Sequence, residues 1–318
     1  MTDINNNEQD PLQNIGVGDE DSDAEDDDTA EDNPMADLPD YVAHRVEKLR
    51  GLNEKREEIM KDYLTERADL ERKYAVILNP LYEERATIVN GEKDDEISAE
   101  VTRRGDSSSA HHNDAEPYVK GIPQFWLSTM SQEETISESL TEEDVDCLEH
   151  LENITCEDFA DGKGFVLRFH FAPNDYFHDA VLVKTYDVPN LLLSDEPILK
   201  NVHGCKIQWK EGKSLTHRQI KKKQRGKGKN AGQVRTISKM EKKESFFHWF
   251  EPPAMPKMDE VDEEQADELE EFFDSDYEIA QAFRSHVIPS AVLWFTGEIM
   301  AQEMIHAIED LRESEETD

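Results

Sequence analysis

Three kinds of reactive side chain recur in this sequence: thiol with imidazole, amine, and carboxylate. Cys147, Cys156 and Cys205 stand at unrelated spacings, which suit neither a disulfide framework nor a metal site and favour a reducing compartment. Of the eleven histidines, His111 and His112 are adjacent. Neighbouring side chains diverge and no cysteine lies at helical ligand spacing with them, so no metal site is expected. No cysteine joins a histidine in a recognisable nucleophilic motif, so neither an enzyme nor a cofactor is expected. The amines gather in 216–243, with Lys221, Lys222, Lys223, Arg225, Lys227, Lys229 and Arg235 among glycines at 226, 228 and 232. That glycine spacing is neither a dinucleotide fingerprint nor a P-loop. It suits a basic hairpin with a lysine-rich tip, read as a nuclear import signal, a contact to nucleic acid or an acidic surface, or a solvated loop.

Carboxylates dominate the rest. Asp and Glu number 74 against 35 Lys and Arg, a net charge of -39 over 318 residues. Self-repulsion on this scale costs stability and is tolerated for solubility or for a basic partner. Phosphates would be repelled, so sequence-specific nucleic acid binding is not expected, and basic proteins are the natural counterpart. The first residues are polar and acidic, and no apolar run nears the roughly twenty residues that span a bilayer. A soluble intracellular protein without a secretory signal or a membrane contact is therefore expected.

The elements that must position these charges are legible from periodicity. Val42, Val46, Leu49, Met60, Tyr63, Leu70, Tyr74, Ile77 and Leu81 recur at steps near three and four, one side of a long helix from about Tyr41 to Val89 within a helical region over 37–90. At about 1.5 Å per residue an unbroken helix of this span reaches roughly 70 Å, too long to bury its stripe in a small domain. That length puts a surface for a partner subunit ahead of the alternative, a long core helix of a monomer. Asn53, Arg56 and Arg67 interrupt the seam, Gly51 could divide the helix, Pro80 should kink it, and Asn90-Gly91 should end it. Residues 1–36 have almost nothing to bury and are expected as a disordered acidic tail, in which Ser22 and Thr29 match acidophilic kinase patterns. A polar linker is expected over 91–117, without an ordered accessory helix.

A folded domain is expected over 118–298, opened by the aromatic cluster Gly121–Leu127. Thr141 and Asp144 resemble a capping box ahead of Val145, Leu148 and Leu151 on one helical face. Strands are expected at Phe165–Phe171, Ala180–Tyr186 and Cys205–Trp209, each alternating or apolar, as an antiparallel sheet covered on one side by helices. The aromatics of Ser245–Pro253 read as core, Asp259–Glu278 as an acidic helix, and 299–318 as a closing amphipathic acidic helix or tail with Met300, Met304, Ile308 and Leu311 on one face.

Several segments then point the same way: "LERKYAVILNPLYEER", "KGIPQFWL", "FVLRFHFAPNDYF", "GCKIQWKEGKSLT", "IKKKQRGKGKNAGQVRTI", "SFFHWFEPP" and "DYEIAQAFRSHVIPSAVLWFTGE". In these segments, which lie between Leu38 and Glu298, the chain resembles the nucleosome assembly protein 1 family of histone chaperones. The resemblance implies an α+β fold, in which a long antiparallel dimerisation helix joins an antiparallel β-sheet domain covered by helices. It implies a homodimer whose acidic concave underside holds core histones, the histone 2A–2B dimer preferred and 3–4 possible. It also implies shuttling between nucleus and cytoplasm. Lys221, Lys222, Lys223, Arg225, Lys227 and Lys229 would serve import receptors, and Leu64, Leu70, Ile77 and Leu81 a masked export signal. A long acidic C-terminal tail is usual in the family. The stretch up to Asp318 is only moderately acidic, so such a role is expected to rest on the N-terminal acids or to be reduced.

Under that resemblance the cargo contacts are expected at Asp259, Glu260, Asp262, Glu263, Asp276, Glu278, Glu298 and Glu303, and secondarily at Glu133 and Glu134. Each screened surface pair contributes only about 0–1 kcal/mol, so affinity would come from number and would fall with salt. The competing expectation is an acidic scaffold or carrier for basic non-histone proteins such as linker histones.

Overall fold

The structure, a computed structural model, describes residues 39–104, 119–189, 191–192, 198–225, 234–255, 262–302 and 304–305, with the backbone alone for 223–225, 234–237 and 263. The expected acidic tail over 1–36 lies outside the described residues. The chain divides into two compact units, Met1–Glu58 and Ile59–Asp318. Helix α1, Asp40–Val89, begins in the first. Its first turn closes on the Pro39 carbonyl, which accepts from Val42 N at 2.7 Å and Ala43 N at 3.0 Å. Gly51 does not divide the helix, and within the second unit the helix continues through Pro80.

The stripe of α1 is largely uncovered. In the first unit Leu49 is exposed, while Val42 and Val46 are intermediate. In the second unit Tyr63, Leu70, Tyr74, Ile77 and Leu81 are all exposed, and Met60 is intermediate. Ile59, Val76 and Leu78 add exposed apolar surface beside them. Mid-helix, Arg67 Nη1 donates to Leu192 O at 2.5 Å, and the last turns bring Val89 into the core. Arg85 Nη1 donates to Ile288 O at 2.5 Å, and its guanidinium lies over Tyr82 and Trp126, 4.8 and 5.1 Å from the ring centroids.

The helix stops where expected: Gly91 has φ +71°, and Ile122 N donates to Val89 O at 2.8 Å. Gly121, with φ +61°, passes so close that a Cβ there would lie 2.1 Å from Val89 O, which is the physical demand behind the glycine in "KGIPQFWL".

Helix α2, Asp94–Arg104, occupies part of the expected linker. Its composition is as polar as a linker's, but the order of charges is helical. Asp94, Asp95 and Glu96 fill the first turn and Arg103 and Arg104 the last, complementing the helix dipole.

Short helices α3 (Phe125–Gln132), α4 (Glu134–Ser137) and α5 (Glu142–Leu148) follow. The capping box on α5 is present. Asp144 is fully buried. Its Oδ2 accepts from Thr141 N, Thr141 Oγ1 and Phe246 N, and its Oδ1 from Ser245 Oγ at 2.6 Å. One carboxylate thus caps α5 and fixes the chain that enters the aromatic turn. Leu151, expected on the same helical face as Leu148, instead opens a strand.

Strands β1 (Leu151–Asp158), β2 (Gly164–Phe171), β3 (Val181–Asp187) and β4 (Asn201–His203) form an antiparallel sheet in sequence order. Cys205–Trp209 is not its third strand. The segment makes one isolated bridge, Phe177 to Trp209, because its backbone donors are taken elsewhere. Cys205 N donates to Phe250 O at 2.9 Å, Ile207 N to Glu251 Oε1 at 3.1 Å, and Gln208 N to Asp179 Oδ2 at 2.7 Å. Strands β5 (His217–Arg225) and β6 (Val234–Lys242) pair, among the described residues, only with each other, from His217–Lys242 out to Arg225–Val234.

A 3-10 turn, Phe246–Phe250, delivers the aromatic core. Phe169 of β2 meets Trp249, Phe250 and Phe283 edge-on at 5.7, 5.1 and 5.0 Å between ring centroids. Full burial of each such ring stabilises by roughly 1.5–3 kcal/mol. Helix α6 (Glu263–Gln281) runs into a π-helical turn, Ala282–Val287, and then α7 (Ala291–Thr296). Arg284 of the π turn forks onto Asp158 of β1 at 2.8 and 2.7 Å. Residues 298–302 are again helical, with Met300 and Met304 exposed, while Ile308 and Leu311 lie outside the described residues.

Candidate functional site

Helix α6 carries "EEQADELEEFFDSDYEIAQ" and starts on the Asp262 cap, whose Oδ1 accepts from Gln265 N at 2.9 Å. At about 100° per residue this sequence sorts into three arcs. Leu269, Phe273, Asp276, Tyr277 and Ala280 turn inward. Glu264, Asp267, Glu270, Glu271, Asp274 and Glu278 face solvent. Glu268, Phe272, Ser275 and Ile279 lie along the boundary. The solvent arc and Glu268 carry carboxylates that meet no cation among the described residues.

Asp276 is the exception, and it holds the helix in place. It is 3% exposed, and its Oδ2 pairs with the amine of fully buried Lys184 on β3, which also donates to Trp249 O. Tyr186 Oη donates to Asp276 Oδ1 at 2.8 Å, and Trp249 Nε1 to Asp276 O at 3.1 Å. The Lys184 amine lies 4.2 Å from the Trp249 ring centroid. Burial pushes this amine down, Asp276 opposes it, and the outcome is about 8. Burial likewise lifts the Asp276 carboxyl, with Lys184 and Tyr186 opposing. The expectation that Asp276 is an outward contact is therefore corrected: an ion paired in the interior cannot reach a partner.

Glu133 is also corrected. It is 7% exposed and caps α4, its Oε2 accepting from Ile136 N at 2.8 Å. Its neighbour Glu134 is exposed. With Glu138 it shares a shallow depression against Ser275 and Glu278 of α6. Asp262 and Glu278 are exposed. Glu263 is helical by its backbone, and Asp259, Glu260 and Glu303 lie outside the described residues. Glu298 is exposed and accepts from Thr296 Oγ1 at 2.9 Å.

The sequence reading passed over Glu264, Asp267, Glu268, Glu270, Glu271 and Asp274, and over Glu138. Helical spacing was the available signal. It separates Asp276, in phase with Phe273 and Ala280, from acids one step away.

Other chemistry is poorly supported by local environment. Burial pushes the Cys147 and Cys205 thiols up, and the Cys156 thiol up to about 12, which withholds the thiolate at neutral pH. Among the described residues no group of three His, Cys, Asp or Glu is placed to hold a metal ion, and no helix is long and apolar enough to cross a membrane. On the hairpin, Lys221 and Lys222 are exposed on β5. Lys223 and Arg225 are placed by backbone, and Lys227 and Lys229 lie outside the described residues.

The family model described as Nucleosome assembly protein (NAP) matches residues 44–298. Nucleosome assembly protein 1;3 of Nicotiana tabacum is 38% identical over 279 residues, covering 87% of this chain and 71% of that protein. Nucleosome assembly protein 1;1 of Oryza sativa subsp. japonica is 40% identical over 274 residues, covering 86% and 70%. Among solved structures, nucleosome assembly protein 1 from Plasmodium knowlesi superposes with a TM-score of 0.57 at 24% identity, covering 82% of this chain and 99% of that one, and shows the same fold. The α+β architecture, a long helix with an antiparallel sheet and covering helices, is that of these neighbours. With a matched region that takes in most of the chain and relatives at this identity, the chain belongs to the nucleosome assembly protein family.

Proposed function

We propose that this protein is a histone chaperone without enzymatic activity, which holds core histones on the solvent arc of α6 and the adjoining α4, the 2A–2B dimer preferred. The observation that carries the reading is the row of α6 carboxylates left without a cation among the described residues, on a helix whose inward face is tied to the sheet. Fixed charges on a rigid element attract a basic protein without the cost of ordering them. Each contact is individually weak, so cargo passes to DNA by competition rather than by a chemical step. Membership in a family named for nucleosome assembly supports this choice over other basic cargo.

The test is binding of the 2A–2B pair at physiological salt against a panel of equally basic proteins, with protection against histone–DNA precipitation. Equal binding across the panel would favour a general carrier, with linker histones the first alternative. Absence of protection would sink the chaperone reading.

The working unit is a homodimer paired through the exposed stripe of α1, consistent with so much apolar surface left open on one helix. Ile77→Glu with Leu81→Glu places charges on that stripe, and the expected result is a monomer in sedimentation at concentrations where the parent runs at twice the 36.6 kDa chain mass. A dimer that survives both changes places the interface elsewhere.

The hairpin lysines serve nuclear import, and the protein shuttles between nucleus and cytoplasm. Replacing Lys221, Lys222 and Lys223 with alanine is expected to leave a fluorescent fusion outside the nucleus. Unchanged nuclear entry would remove that role. Pairing of α1 would also cover Leu70, Ile77 and Leu81 of the export candidate, whereas Leu64 is already intermediate in exposure.

A further inference from the structure

The boundary arc of α6 does not match its acidic neighbour. Phe272 is 39% exposed, and beside it runs a groove between α6 and the 3-10 turn, floored by Phe246, Trp249 and Ile279. Glu268 and Glu271 stand on its α6 wall. On the opposite wall His248 is held by a hydrogen bond between Nε2 and Lys243 O at 2.8 Å. Burial lowers the His248 imidazole below its usual range, so that wall is uncharged at neutral pH. Ser275 reaches both this groove and the acidic depressions on either side. The acids alone would hold any cation. An apolar floor inside an acidic rim asks for something narrower.

We infer that this groove seats one apolar anchor side chain, aromatic or aliphatic, of a basic polypeptide whose flanking Lys or Arg residues meet the α6 carboxylates. The inference rests on the reading of the protein as a carrier of basic proteins and adds the sequence pattern it selects. Charge complementarity fixes the occupant as cationic, since an acidic or phosphate-bearing ligand would be repelled by Glu268 and Glu271. The apolar floor fixes the anchor, because Asp276, which also lines the groove, is already paired with Lys184, and a charged side chain would lose hydration against Phe246, Trp249 and Ile279. Phe272 supplies the exposed edge of the seat, and Phe273 behind it, 5.4 Å away and edge-on, holds the ring in position. The result is a site that discriminates among equally basic segments, which distributed charge cannot do.

The experiment compares two Lys/Arg-rich peptides of equal charge, one with a central Phe and one with Ala in its place, binding to the full-length protein by fluorescence anisotropy. The Phe peptide is expected to bind about tenfold more tightly, the share of a ring's transfer free energy that a shallow groove recovers. Phe272→Ser, and separately Ser275→Trp to fill the groove from its rim, are each expected to abolish that preference while the Ala peptide binds as before with the same salt dependence. Equal binding of both peptides to the parent protein overturns the inference, as does a preference that survives both substitutions. Histone binding in parallel separates the two claims. Histones bound without peptide discrimination defeat the groove alone, and discrimination without histone binding defeats the histone reading alone.

Discussion

Asp276→Asn is expected to lower unfolding stability by about 3–5 kcal/mol, read from urea midpoints. The substitution keeps size and an acceptor for Tyr186, but leaves the Lys184 ammonium buried at 0% exposure with no countercharge. Lys184→Met has the converse effect on Asp276 and falls in the same range. The double variant Lys184→Met with Asp276→Leu is expected to recover most of the loss, because an apolar pair replaces two ions that both resist burial.

The pH dependence has a definite sign. Folding pulls the Lys184 amine from its ordinary 10.5 to about 8, so between those values the unfolded chain binds more protons and stability rises with pH. Removing the Asp276 charge lowers the amine further and starts that rise earlier. The deficit of Asp276→Asn is therefore expected to narrow as pH climbs toward about 8 and to run parallel to the parent above it. A deficit independent of pH would mean that packing, not the ion pair, carries the loss.

Neutralising the outer acids of α6 is expected to move binding and stability in opposite directions. Glu264, Asp267, Glu268, Glu270, Glu271, Asp274 and Glu278 become their amides, which preserve shape and leave Asp276 untouched. At up to about 1 kcal/mol per screened contact, roughly 3 kcal/mol of histone affinity should disappear, near a hundredfold in Kd, and the salt dependence should flatten. Stability should rise. Glu264, Glu268 and Glu271 stand at steps of four and three, as do Asp267, Glu270 and Asp274, and like-charge pairs at those spacings cost about 0.2–0.5 kcal/mol each. A variant that merely misfolds would lose both properties. One that gains stability and keeps full histone affinity would show that the α6 arc is not the histone site.

The parts of this molecule written in local pattern could be read from the sequence. The helix of α1, the alternation of β2, the capping box of α5, the basic hairpin within 216–243 and the aromatic core cluster at 245–253 each depend on neighbours a few residues apart. What escaped depends on partners far along the chain. Cys205–Trp209 alternates as a strand does, but alternation reports which side is buried, not where the amide hydrogens go, and these go to Phe250, Glu251 and Asp179. Strand β1 was hidden because its register shifts between Leu151 and Asn153, which spoils the period of two. Helix α2 was hidden because charge order, not apolar spacing, supports it. For the site, composition revealed an acidic surface but not which acids form it. Asp276 and Glu133 look like their neighbours in sequence, and only Lys184, 92 residues away, and the Ile136 amide show that they are structural.

The β5–β6 ribbon has one further consequence. Among the described residues it pairs with no third strand, which leaves its outer edges there open to another chain. Open edges are templates for fibre-like stacking, and exposed lysines are a common guard against it. Lys221, Lys222, Lys239 and Lys242 stand exposed along this ribbon. The basic residues read above as an address also keep like ribbons apart by mutual repulsion, so the protein gains colloidal safety from its few positive charges as well as from its many negative ones.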